Sequence, residues 1–281
     1  MSPTIADRIR RRLQPRYTRT EAAWLARILM CEVLGQREVD YYAGKDRPLS
    51  PTEAQSLAHI LARLDRHEPI DYILGHRRFC GLDFRVGPAV LIPRPETEEL
   101  MEIILDQEPA SGRAIDIGTG SGCMAVSLSV GKPGWEVDAV DISPEALAMA
   151  RDNNARLGGK VRMWQADVLT WTPEPALHHA YDCLMSNPPY VPMSQRAGMQ
   201  TRVADHEPAI ALFVPDADPL RFYRAIARLG RTLLKDQGRI YLEINQDHGQ
   251  DILRLLATHN YHNAQLRKDL SGNDRFITAT L

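Results

Sequence analysis

The chain has 281 residues, 44% of them hydrophobic, which is ample for a large domain with a smaller one beside it and for a true core. Its 34 Lys and Arg against 36 Asp and Glu leave a formal net charge of -2, without the broad positive field of a protein that lives on nucleic acid. Four scattered cysteines, Cys31, Cys80, Cys123 and Cys183, form no C-x-x-C pair and argue against a zinc knuckle or a disulfide framework; with no signal-peptide pattern and no apolar run of about 18 residues, the expected compartment is the cytoplasm.

Ala23, Trp24, Ile28, Met30 and Leu34 recur at near-helical spacing and predict a helix over 20–34 that stops at Gly35. Ser50 and Pro51 announce a second helix, running through Leu57, Ile60, Leu61 and Leu64. Residues 1–75 therefore read as an all-helical domain, and Arg8, Arg10, Arg11, Arg12, Arg16 and Arg19 as a solvated or frayed basic end. Short β-like runs, 78–80 and 82–86, broken by Gly81 and by Gly87-Pro88, make 76–95 a hairpin linker. The stiff stretch Leu91 to Glu98 follows and should open a helix at Thr97.

From residue 96 to 281 the chain alternates. Strands are expected at 113–117, 136–140, 161–164, 182–186 and 239–244, and helices at 122–130, 144–157, 220–234 and 250–258. Strands separated by helices imply a parallel, doubly wound α/β sheet.

Three segments carry chemistry. Asp116-Ile117-Gly118-Thr119-Gly120-Ser121-Gly122 follows the first of these strands and leads into a helix, where alternate glycines permit a tight turn and close approach to a nucleotide-type ligand. Cys123 breaks the dinucleotide spacing counted from Gly118, and the spacing fits an S-adenosylmethionine loop better. Asp141 ends the next strand, placed for ribose hydroxyls or simply to cap its turn; Asp167, beside Val168, ends the one after, placed for an exocyclic amine or as a surface turn. Asn187-Pro188-Pro189-Tyr190 then stands at the end of a buried strand. An Asn amide offers one acceptor and two donors, and two prolines leave rigid carbonyls that only accept, so together they can hold an NH2 group.

In this order and spacing these segments resemble the class I S-adenosylmethionine methyltransferases that methylate planar nitrogens. Residues 92–98 and 68–75, with 206–212 and 269–275, further resemble the HemK/PrmC family of protein-(glutamine-N5) methyltransferases acting on peptide chain release factors. The resemblance covers nearly the whole chain; one departure is Val168, where some members carry an aromatic residue.

It implies a Rossmann-like sheet of seven strands with 239–244 and 275–280 as a final antiparallel hairpin, and a small N-terminal helical domain for substrate recognition. S-adenosyl-L-methionine is the implied cofactor, held by Asp116, Gly118, Thr119, Gly120, Ser121, Gly122, Asp141, Asp167, Val168 and Asn187. The implied catalytic residues are Asn187, Pro188, Pro189 and Tyr190, with Tyr190 packed on the substrate amide, and the implied substrate is the glutamine of a release factor Gly-Gly-Gln motif. No metal, membrane or stable nucleic-acid partner is expected. Arg94 is a candidate for the substrate backbone or an ordinary loop arginine. A ribosomal-protein glutamine and an N6-adenine in nucleic acid remain alternatives, because the same amide clamp suits all three.

Overall fold

Three capping boxes set the helices of the N-terminal segment. Thr4 with Asp7, Thr18 with Glu21 and Ser50 with Glu53 each exchange side-chain and backbone hydrogen bonds, satisfying amides that a helix start leaves open. The computed structural model describes residues 3–281 and divides between Leu74 and Gly75 into two compact units.

The first unit holds α1 (Ile5–Leu13), α2 (Arg19–Ile28), which runs on into a π-helical turn (Leu29–Val33), α3 (Glu38–Tyr42), α4 (Pro51–Leu64) and α5 (Ile70–Leu74). Ile9, Leu13, Ala22, Leu29, Leu61 and Leu64 are buried together in its core. The arginine-rich start is not a frayed end. Ile5, Ala6, Ile9 and Leu13 bury one face of α1, while Arg10 pairs with Asp7 at 2.7 Å and Arg12 with Asp65 at 2.7 Å.

The second unit opens with the hairpin β1 (His76–Phe79) and β2 (Leu82–Arg85), then α6 (Pro95–Gln107). Phe79 and Phe84 meet edge to face inside the main core, so the hairpin is packed into this unit. α6 begins two residues earlier than the Thr97 expected, because Pro95 occupies its first turn, where a missing N–H costs nothing.

There follow β3 (Ser111–Ile117), α7 (Cys123–Gly131), β4 (Gly134–Asp141), α8 (Pro144–Leu157), β5 (Arg162–Gln165), β6 (Tyr181–Ser186), β7 (Val191–Pro192), α9 (Thr201–Ala204), α10 (Ala209–Leu212) and β8 (Phe213–Val214). The chain closes with α11 (Arg221–Leu233), β9 (Leu234–Glu243), α12 (Gly249–Thr258), β10 (His262–Lys268) and β11 (Asp274–Thr280). β7 and β8 form a small sheet of their own.

Seven strands form the main sheet in the order β10-β11-β9-β6-β3-β4-β5. β9 and β11 are antiparallel neighbours as expected, yet the hairpin itself is β10 with β11, a strand the sequence pattern does not announce. The parallel part is buried on both faces by helices, and Asp138, a charge deep within it, is fully partnered. Asp138 accepts from Tyr181 at 2.7 Å, Arg162 at 2.7 Å and Arg113 at 2.9 Å, which offsets its desolvation. β3 lies between β4 and β6, so the strand order reverses there and opens a crevice at the carboxyl ends.

Candidate active site

A cavity of about 350 Å³ occupies that crevice, at the ends of β3, β4, β5 and β6, within the size range of small-molecule sites. Gly118, Thr119, Gly120 and Ser121 form one wall, Asp141, Asp167 and Val168 the next, and Asn187, Pro188 and Pro189 the wall facing them. Asp116, Gly122 and Tyr190 are not on its surface; each stands behind it.

The glycine loop owes its shape to backbone. Gly120 lies at φ +55°, and Gly122 at φ +80°, where an added Cβ would stand 3.2 Å from Ala150 Cβ; glycine thus lets α7 and α8 close on each other. Gly118 and Thr119 both donate N–H bonds to the Val140 carbonyl, at 2.9 and 3.0 Å. Asn153, buried on α8, donates to Ser121 O and Arg85 O at 2.9 Å, tying loop, helix and hairpin together. It is a positioning residue that the sequence pattern does not single out.

Asp141 accepts from the Gly120 amide at 2.8 Å and the Ser143 amide at 2.9 Å, so it caps its turn and also faces the cavity. Asp116 lies under the loop; one oxygen accepts from the Thr119 hydroxyl at 2.7 Å, and the other is buried with no hydrogen-bond partner among the described residues. Burial pushes Asp116 up to about 7, against the pull of the Thr119 hydroxyl and the Ala125 amide, with the Asp141 carboxylate adding to the rise. Burial likewise raises Asp141. The two carboxyls stand on one side of the cavity, Asp141 on its wall and Asp116 beneath the glycine loop. Asp167 uses one oxygen to cap the Leu169 amide at 2.9 Å and keeps its place on the cavity wall.

On the opposite wall the Ser186 hydroxyl donates to Ile117 O at 2.6 Å and pins the end of β6 to β3. The Asn187 amide nitrogen donates to the Thr97 hydroxyl at 3.0 Å, and Thr97 donates to Glu243 Oε2 at 2.6 Å. Tyr190 turns away from the cavity: its hydroxyl donates to Glu243 Oε1 at 3.2 Å, and its ring packs on the core. Tyr190, expected on the substrate amide, thus stands behind the cavity wall in this structure. Glu243, at the end of β9, is 1% exposed and pushed up to about 7, burial outweighing the hydrogen bonds from Thr97 and Tyr190 and the positive charge of Arg275.

Arg94 lines the mouth and is not idle there. It donates to Glu207 Oε1 at 2.6 Å, while Glu207 Oε2 accepts from the Ile92 amide at 3.2 Å. That bridge joins the proline-rich stretch before α6 to the loop before α10. Thr97, Glu207 and Glu243 are the site residues the sequence reading leaves out. Glu243 carried a usable signal, a carboxylate ending a strand next to the one that carries Asn187.

Among the described residues no cluster of His, Cys, Asp or Glu suits a metal ion, and no helix is long and apolar enough to cross a membrane.

Two family models match the chain, the PrmC N-terminal domain over residues 5–75 and the methyltransferase small domain over residues 96–206. A release factor glutamine methyltransferase from Bacteroides thetaiotaomicron is 47% identical over 271 residues, spanning 96% of this chain and 97% of that protein. Its counterpart from Flavobacterium psychrophilum is 38% identical over 86% and 85% of the two chains. Among solved structures, a methyltransferase from Pyrococcus furiosus superposes with a TM-score of 0.54 at 18% identity, covering 71% of this chain and 89% of its own, a likeness of fold.

Proposed function

The chain belongs to the release factor glutamine methyltransferases, and from that membership we propose that it moves a methyl group from S-adenosyl-L-methionine to the side-chain N5 of the glutamine in the Gly-Gly-Gln motif of a peptide chain release factor. The observation that carries the reading is the 47% identity to a protein of that name over nearly the full length of both chains. Asp141 on the cavity wall and Asp116 beneath the glycine loop put two carboxyls on the side where a cofactor with an ammonium and a sulfonium would lie. Such a protein substrate implies work in the cytoplasm, and a net charge of -2 favours no stable nucleic-acid partner. Residues 1–75 serve in this reading as the substrate-recognition domain, with 76–95 leading into the catalytic part.

In the proposed site Gly118 to Gly122 and Asp116 cradle the amino-acid end of the cofactor, Asp141 takes the ribose hydroxyls, and Asp167 with Val168 borders the base. The cofactor supplies a methyl on a positive sulfur, which keeps the bonding pair when the carbon–sulfur bond breaks. The rest falls to the protein. A carboxamide nitrogen is a poor nucleophile because its lone pair is shared with the carbonyl, so it must be held in line and polarised.

Asn187 Oδ1 and the Pro188 carbonyl each accept one N–H of the substrate amide, concentrating electron density on nitrogen as its planarity is lost. They strengthen as positive charge develops there, the reverse of an oxyanion hole. The new carbon–nitrogen bond leaves nitrogen with a surplus proton, which the strongly acidic N-protonated amide gives up to solvent water as the product leaves the two acceptors. Pro188 and Pro189 keep the acceptors rigid. A transfer assay offering a release factor, a ribosomal protein extract and duplex DNA side by side tests the reading: label is expected in the release factor alone, and label in either competitor alone would replace it.

A further inference from the structure

An Asn side chain can present either its oxygen or its nitrogen to a cavity, and the two orientations recognise opposite partners. Only the oxygen accepts from an NH2 group. What decides the orientation of Asn187 lies behind the cavity wall, in a chain of hydrogen bonds drawn from three distant parts of the sequence.

When ionised, Glu243 only accepts, and it then takes the one proton that the Thr97 hydroxyl can give, across 2.6 Å. Thr97 is left with lone pairs alone on the side of Asn187. It can therefore accept only from the Asn187 nitrogen, as it does at 3.0 Å, and the Asn187 oxygen is turned away from Thr97. That oxygen takes no hydrogen bond from any described residue, and Asn187 lines the cavity. Glu243 also takes the Tyr190 hydroxyl at 3.2 Å, and Asn245 donates to the Tyr190 carbonyl at 3.3 Å. One buried carboxylate thus holds both ends of Asn187-Pro188-Pro189-Tyr190.

We propose that Glu243 and Thr97 are positioning residues for methyl transfer, fixing the Asn187 amide with its oxygen toward the cavity and thereby selecting a substrate that donates N–H bonds over one that only accepts. This rests on the proposed glutamine reaction. Removing the acceptor at position 243 frees the Thr97 proton for Asn187 Oδ1, which turns the Asn187 nitrogen into the cavity. The site then favours a carboxylate over a carboxamide. Thr97 without its hydroxyl leaves the amide unfixed.

The test compares wild type with Thr97→Ser, Thr97→Val and Glu243→Met, using a Gly-Gly-Gln peptide as substrate and the matching Gly-Gly-Glu peptide as inhibitor. Cofactor affinity, measured by calorimetry on each variant, reports that the fold and the opposite wall are intact. Thr97→Val and Glu243→Met are expected to lose about 100-fold in kcat, the scale of one misplaced preorganised dipole. Thr97→Ser should stay within about threefold of wild type, since it keeps the hydroxyl. Glu243→Met should also bind the Glu peptide more tightly than the Gln peptide, reversing the wild-type order; loss of packing would weaken both alike.

An active wild type whose Thr97→Val and Glu243→Met variants keep kcat, or a Thr97→Ser as damaged as Thr97→Val, overturns the positioning claim alone. Inverted peptide preference supports it. A wild type that binds the cofactor yet leaves the glutamine untouched overturns the functional reading, and the positioning claim falls with it.

Discussion

On the proposed cofactor side of the cavity, seven consecutive residues, Asp116 to Gly122, shape a wall almost entirely from backbone, with N–H groups given to Val140 and Asp141. On the proposed substrate side, Asn187 leans on Thr97, 90 positions away, and Thr97 on Glu243, 146 positions from it. The first wall is local and rests on glycines that tolerate positive φ; the second is assembled by the sheet, which brings α6 and the ends of β6 and β9 together. The lesson is a division of labour. In the proposed reading backbone makes the surface that binds and a side-chain relay the one that discriminates, and the two should fail differently.

The largest difference is expected at Asn187. Asn187→Ala removes an acceptor that matters most as charge develops on the attacked nitrogen, so kcat should fall by about 1000-fold while calorimetry finds cofactor affinity within about threefold. Equal losses in both would erase the distinction between the walls. The mirror case is Asp141→Ala, which takes a capping acceptor from the glycine loop and a partner from the ligand. Cofactor binding should weaken by about 10- to 100-fold, with much of the rate recovered at saturating cofactor.

The contrast explains what could be read from the sequence. The glycine loop is legible because its spacing, Asp-x-Gly-x-Gly-x-Gly, is written in adjacent residues between a strand and a helix. The proposed clamp, Asn187 to Tyr190, is likewise one run of adjacent residues. The direction in which Tyr190 points is not, since it depends on Glu243, which arrives on β9 only when the sheet closes. α1 was obscured by its arginines, although Ile5, Ala6, Ile9 and Leu13 keep helical spacing. β10 was obscured by polarity: an edge strand reading His-Asn-Ala-Gln-Leu-Arg-Lys lacks the apolar run of a central one, and charged edges discourage stray pairing. The expected strand starts at 239 where β9 starts at Leu234, because Gly238 and polar neighbours precede its apolar half.

A pH series probes both walls together. Glu243 is faced by Thr97 and Glu96 from α6, by Tyr190, by the Tyr223 hydroxyl on its backbone carbonyl from α11, and by Arg275 from β11. The relay needs it ionised, because a protonated Glu243 can give its own proton to Thr97 and release the Thr97 proton toward Asn187. Turnover at saturating cofactor should therefore rise through about pH 7, by about tenfold per unit below that value. Stability runs the other way. Asp116 and Glu243 both hold protons more tightly folded than unfolded, so their contribution is full below the unfolded carboxyl range and is lost as pH rises through about 7. Without ligand, the melting temperature should fall between pH 5 and 8 as activity rises; parallel trends would count against the relay.

The smallest effect belongs to the glycine wall. Gly122→Ala places a Cβ at φ +80° and 3.2 Å from Ala150, a cost of about 1–2 kcal/mol seen as a lower denaturation midpoint. Turnover per folded molecule should change little, since Gly122 lies behind the cavity surface. A large drop in kcat with unchanged stability would make that glycine part of the discriminating wall instead.

The most direct measurement is mass spectrometry of the tryptic peptide that carries the Gly-Gly-Gln motif, after a release factor is incubated with the purified protein and S-adenosylmethionine. The account predicts a gain of one methylene unit, localised by fragmentation to the glutamine side chain and missing when Asn187→Ala replaces wild type. A peptide of unchanged mass with wild type, or a methyl on any other residue, would contradict it.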